Sequence, residues 1–161
     1  MKKTRILFAL TLTLACLGIT STVTVSAVNP EPSAHGSAQS GDLMLTVSAI
    51  KHEDGSIDGH ATFRDRAANT KLDIDIDCLI VSVFNGGDVV ILSGMVSNST
   101  SPDFLIGSRA GFVVKDNGEG SNAPPDQFTA PQPAFGCGGL MVVFLDSERG
   151  NIVVNTGASA N

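Results

Sequence analysis

The chain has 161 residues, 42% of them hydrophobic, with 16 acidic residues against 10 Lys and Arg and a net charge of −6. That length fits one domain, and the acidic balance excludes nucleic acid and anionic membrane as partners, because a phosphate backbone demands a basic surface. Trp and Tyr are both absent, which removes the stacking platforms used by sugar-binding modules and single-strand nucleic-acid binders.

Residues 1–27 have the three parts of an export signal. Lys2, Lys3 and Arg5 give a positive start, Ile6 to Ile19 is an apolar run, and Val25-Ser26-Ala27 offers small residues for cleavage after Ala27. The run is too short for a bilayer span of roughly 20 apolar residues, so no membrane insertion is expected after cleavage. Lipidation at Cys16 is the competing reading, although Thr13 stands where such signals prefer Leu. Cleavage leaves 7 basic and 16 acidic residues, a net charge of −9. That acidity means solubility, with cation binding as the sharper alternative. The expected destination is secreted, either extracellular or periplasmic.

Residues 28–41, "VNPEPSAHGSAQSG", lack apolar periodicity and read as a flexible lead-in. A single all-β domain is expected over 42–157, with a disordered tail at 158–161. Leu43, Leu45, Val47 and Ala49 alternate onto one face, as do Ile57, Ala61 and Phe63 against Asp58, His60, Thr62 and Arg64. "KLDIDID" alternates most strictly, with Leu72, Ile74 and Ile76 inward and Asp73, Asp75 and Asp77 outward. Parity carried one step further sets Cys78 inward.

From Leu79 the pattern becomes apolar on both faces. Asn85-Gly86-Gly87-Asp88 is a tight-turn signal, because Asn and Gly accept positive φ, so Asp77–Phe84 pairs with Val89–Val96 as a central hairpin. Further strands are expected at "AGFVVKD", "LMVVFL" and "NIVVN", with a short one at residues 126–129. No segment shows helical periodicity with a cap. Seven to eight short strands predict an antiparallel β-sandwich or barrel, with long loops at 97–103 and 121–139.

Two cysteines remain after cleavage, Cys78 and Cys137, and in an oxidising compartment they are expected to pair, the alternatives being two buried free thiols or one intermolecular bond. The aspartates of "KLDIDID" stand about 6.7 Å apart along one strand face; they are either a solvated face partnered by Arg64, Arg66 or Lys115, or a place to hold a cation. "DNGEGSNAPPD" (116–126) offers Asp116, Glu119 and Asp126 as hard oxygen ligands for Ca²⁺. Gly118 and Gly120 stand where a calcium loop places side-chain oxygens, which favours a turn. His60 lies on the polar face with Asp58, Thr62 and Arg64, making His60 and Arg64 a polar-face site. His35 falls in the lead-in and His52 in a turn. No H-E-x-x-H, G-x-S-x-G or C-x-x-C occurs, and Asn98-Ser99-Thr100 is a glycosylation sequon in a eukaryotic host.

Three stretches occur in order: "DGHATFRD" (58–65), "LDIDIDCLIVSVFNGGDVVILSGMV" (72–96) and "AGFVVKDNGEGSNAPPDQF" (110–128). In this the chain resembles the post-COAP type of bacterial extracellular β-domain. Members carry a Gly-His-x-x-aromatic strand, a hairpin, and a strand ending in Asp-Asn-Gly-Glu before a loop and Asp-x-Phe. These match Gly59-His60 with Phe63, the Asp77–Val96 hairpin, Asp116-Asn117-Gly118-Glu119, and Asp126 with Phe128. The chain departs in its Cys pair and in lacking a Gly-Pro turn. The resemblance implies a small secreted β-domain and assigns no reaction.

The reading that follows is a non-catalytic binding or surface-interaction module with a protein or surface ligand as partner. Two alternatives stand beside it: a calcium-stabilised adhesion-type module, and a small hydrolase or lyase using His60 with acidic residues. The second requires a carboxylate or hydroxyl within reach of His60, and a cleft around it.

Overall fold

A computed structural model describes residues 30–120 and 122–157; the expected export signal, Cys16 and the 158–161 tail lie outside them. The fold is all-β. Its strands are β1 (Ser33–Ser40), β2 (Leu43–Lys51), β3 (Ile57–Asp65), β4 (Thr70–Phe84), β5 (Gly87–Ser99), β6 (Arg109–Asp116), β7 (Gln127–Phe128), β8 (Gln132–Pro133), β9 (Leu145–Asp146) and β10 (Arg149–Asn155). One antiparallel sheet holds them in the order β10-β1-β2-β3-β4-β5-β6-β7-β9, with β8 also on β6. Ten strands therefore replace the expected seven to eight. The sheet curls into a half-barrel, and its two end strands, β9 and β10, follow one another in the chain.

Alternation works wherever one face is wet. Leu45, Val47, Ala49, Ala61, Phe63, Leu72, Ile74 and Ile76 are all buried in one core with Leu92, Phe112, Phe128 and Ile152. Phe63 and Phe112 meet edge to face at 4.9 Å, the arrangement that aromatic quadrupoles favour.

The lead-in is corrected: residues 33–40 are strand β1, paired with β2 on one side and β10 on the other. Its inward side chains are only Ala34 and Ala38, both buried, so apolar bulk gives no signal. Gly36 explains the composition. Its φ is +141°, and a Cβ there would collide with the Asn151 carbonyl of β10, so only Gly lets the two backbones close.

Cys78 is corrected as well. Ile76 pairs with Gly94 but Cys78 with Ser93, so Asp77 is an extra residue in β4. This bulge flips the parity: Leu79 enters the core and Cys78 turns to the outer face. There it bonds Cys137, with Cα atoms 5.5 Å apart.

The outer face of β4–β6 is where residues 129–144 lie. Ser93 Oγ–H donates to the Gly136 carbonyl at 2.7 Å, Thr129 and Val113 exchange two hydrogen bonds, and Leu140 stands against Gly111. This second layer buries Val89 and Val113 from outside and accounts for strands apolar on both faces. "LMVVFL" is accordingly no strand beyond Leu145. Met141 is instead held by the Gln132 amide, which both donates to and accepts from its backbone at 2.7 Å.

Candidate functional site

Asp116, Glu119 and Asp126 converge on β10. Asp116 Oδ2 accepts the Val154 N–H at 3.0 Å, and its Oδ1 accepts the Gly118 N–H at 2.7 Å. Asp126 Oδ2 accepts the Ile152 N–H at 2.8 Å, and its Oδ1 accepts the Asn117 N–H at 3.1 Å. Glu119 Oε1 accepts from the Asn151 amide at 2.9 Å, while Asn117 donates to the Pro125 carbonyl. The loop brings its three carboxylates to one place, but four of the oxygens of Asp116 and Asp126 are spent on backbone N–H groups. Among the described residues no group of three or more His, Cys, Asp or Glu is arranged to hold a metal ion. The cluster acts as a seam: β10 has no backbone partner on this side, and the aspartates satisfy its outward amides, which would otherwise be costly to bury.

The polar face of β3–β5 is a second cluster. His60 Nδ1 lies 3.1 Å from Asp75 Oδ1, and its Nε2 lies 3.3 Å from the Thr62 hydroxyl. Thr62 Oγ1–H donates to Asp73 at 2.7 Å, as do Lys71 Nζ at 2.6 Å and the Asn98 amide at 2.9 Å. Burial, which leaves Asp73 only 7% exposed, pulls its carboxyl upward. The bonds from Lys71, Asn98 and Thr62 together outweigh that and hold the pKa at about 2. Asp77 takes a bidentate pair from Arg109 at 2.6 Å, which raises the guanidinium further. The aspartates of "KLDIDID" thus find Lys71, His60 and Arg109, not the Arg64, Arg66 or Lys115 expected for them.

Arg64 stands apart from His60. It lines a shallow depression of about 340 Å³ with Met44, Thr46 and Thr62. The carboxylate and hydroxyl required near His60 are present, but His60 lines none of five of the best-formed clefts. The nearest hydroxyl, Thr62, already gives its one proton to Asp73. Ser48 stands opposite His60 in β2 but hydrogen-bonds His35 at 3.1 Å. A base with no activated nucleophile beside it lacks half of the usual arrangement.

At the other end of the half-barrel a cleft of about 360 Å³ opens between Leu43, Phe63, Leu72, Phe104 and Pro131, with Asp65 and Asp103 on its wall.

The feature that motif reading misses is an apolar end. Residues 78–87 and 127–145 contain no charged side chain, and the Cys78–Cys137 disulfide joins the two stretches. Among the described residues, seven of eleven exposed large hydrophobics belong to them: Ile80, Val83, Phe84, Phe135, Met141, Val142 and Val143. Phe135 is 93% exposed, Met141 77%, Val143 71% and Val83 68%. Phe84 and Phe144 lie 6.2 Å apart, so the hairpin tip and the loop form one surface. The signal was available as an absence of charge, which pattern searches for reactive residues pass over. No helix among the described residues is long and apolar enough to cross a membrane. No family model, curated protein or solved structure matches the chain.

Proposed function

We propose that the protein is an exported, non-catalytic interaction module that engages a partner protein through its charge-free apolar end. The observation that carries this reading is the concentration of exposed Val, Phe and Met on two disulfide-joined stretches of an otherwise acidic chain. Apolar patches rimmed by polar residues mark interaction sites on soluble proteins. The disulfide supports the reading by holding the loop against the hairpin, so the surface is pre-formed and binding costs little ordering. The export signal and the oxidised cysteine pair support the compartment.

Retention on a phenyl-substituted matrix tests it. Val83→Asp with Val143→Asp should lose retention. Leu105→Asp with Ile106→Asp, which removes exposed side chains outside the two stretches, should keep it. Equal retention of all three proteins would remove the apolar end as the interaction surface.

A further inference from the structure

Strand β4 outruns its neighbour. The β3–β4 register ends with His60 opposite Asp75, and β3 begins at Ile57, which by continuation would face Cys78. From Leu79 to Phe84 the strand is paired with β5 on one side and, among the described residues, has no strand on the other. No backbone or side-chain hydrogen bond from another element reaches this free side among the described residues. In an antiparallel ladder alternate residues aim both N–H and C=O outward, so Leu79–Phe84 displays an open template.

Natural sheets blunt such edges with Lys, Pro, charges or a covering loop. "LIVSVF" has none of these, and Ile80, Val83 and Phe84 are exposed along it. The 129–144 layer covers the face of the strands and leaves the edge open.

We infer that a second copy of this chain occupies the edge, β4 pairing antiparallel with β4 about a two-fold axis to give one continuous β5-β4-β4-β5 sheet. The inference rests on the reading of the apolar end as the interaction surface. Charge favours a copy. Two chains from residue 28 onward, each with 7 basic and 16 acidic residues and a net charge of −9, repel over most of their surfaces, yet the nearest charges flanking this strand segment are Asp77, neutralised by Arg109, and Asp88. Residues 78–87 between them carry none. Composition favours it too, because an uncharged strand of six residues, three of them β-branched, is the complement such an edge selects, and an isologous contact requires the surface to complement itself.

Sedimentation equilibrium of the chain from residue 28 onward, which contains every described element, reads the outcome. With the disulfide intact, the mass should double between low-micromolar and high-micromolar concentration. Val83→Lys, at a site 68% exposed, places like charges near each other across the axis and should weaken association roughly tenfold or more. Met141→Lys, on the loop and away from the edge, should leave it unchanged. Amides of residues 79–84 should gain hydrogen-exchange protection as concentration rises. A monomer at every concentration, a dimer indifferent to Val83→Lys, or equal loss in Met141→Lys would each overturn edge pairing. A monomer whose phenyl retention still depends on Val83 and Val143 would overturn the dimer alone, whereas retention indifferent to both would overturn the surface itself.

Discussion

Two unpartnered stretches of this sheet, one along β10 and one along β4, are treated in opposite ways. Along β10, the outward amides of Ile152 and Val154 are taken by the carboxylates of Asp126 and Asp116, and a charged residue at an edge also repels a foreign strand. Along the far half of β4, six residues without a charge or a proline stay open beside exposed Val83 and Phe84. Sheet edges are commonly managed against aggregation, and the proposed interaction falls on the edge left unmanaged. The seam and the open edge also differ in what holds them. Hydrogen bonds close the first, and a covalent bond braces the second.

That contrast breaks most visibly at the disulfide. Replacing Cys78 and Cys137 by Ser frees a loop closed over a sequence separation of 59 and should cost about 4 kcal/mol in the chain-entropy account. Thermal unfolding measures the loss. Limited proteolysis should then cut first in residues 135–144 while β10 amides stay protected; early cutting at the seam instead would show that the two regions are not separately braced.

Next in size is Asp126→Ala, which strands the buried Ile152 amide and the Asn117 amide together. Denaturant unfolding should show a loss of about 3 kcal/mol, since each unsatisfied buried group costs roughly 1–3 kcal/mol. Added Ca²⁺ should leave the melting temperature of the unaltered protein where it was, because these carboxylates already serve backbone donors. A rise with Ca²⁺ would turn the seam into a metal site.

A smaller effect sharpens what kind of carboxylate the seam uses. Asp73 is satisfied by side chains and has a folded pKa of about 2, below its ordinary value of 3.8. A depressed folded pKa contributes stability above the unfolded value, and that stability is lost as pH falls through the folded one. The contribution is about 2 kcal/mol at neutral pH, lost between roughly pH 4 and pH 2. Asp73→Asn should flatten that limb of the stability–pH curve, read by urea midpoints at several pH values. The smallest effect is at the open edge: Val83→Asp should change monomer stability by no more than about 0.5 kcal/mol, as exposed substitutions do. A large loss would mean that Val83 serves the core.

The parts of this architecture that could be read ahead are those where one strand face is wet. Leu72, Ile74 and Ile76 alternate with aspartates, and the core follows from them. The same parity failed two residues later, because a bulge adds Asp77 without leaving a compositional mark other than Gly94, where a Cβ would strike the Asp75 carbonyl. Strand β1 was hidden because Ala34, Gly36 and Ala38 carry the inward face without bulk. Residues 141–144 looked like a buried strand because both a covering layer and a core strand are apolar throughout. "DNGEGSNAPPD" was legible as a turn, yet the partners of its two aspartates, Val154 for Asp116 and Ile152 for Asp126, lie 38 and 26 residues away in sequence, beyond any local pattern. The polar-face pair of His60 and Arg64 was half legible: parity put both outward, and it could not show that only His60 joins the aspartates.

One consequence of the β1–β10 pairing is mechanical. Ser33 stands opposite Asn155, and Gly157 lies against Pro32 and the Pro30 carbonyl, so both ends of the described fold leave from the same point. Tension applied between them loads the Ser33–Asn155 rung first and the Gln39–Arg149 rung last, peeling the ladder one bond at a time instead of shearing all of it together. A domain pulled by both ends should therefore open at low force from β10 inward, with the disulfide-braced hairpin outside the path of the load until the seam has parted.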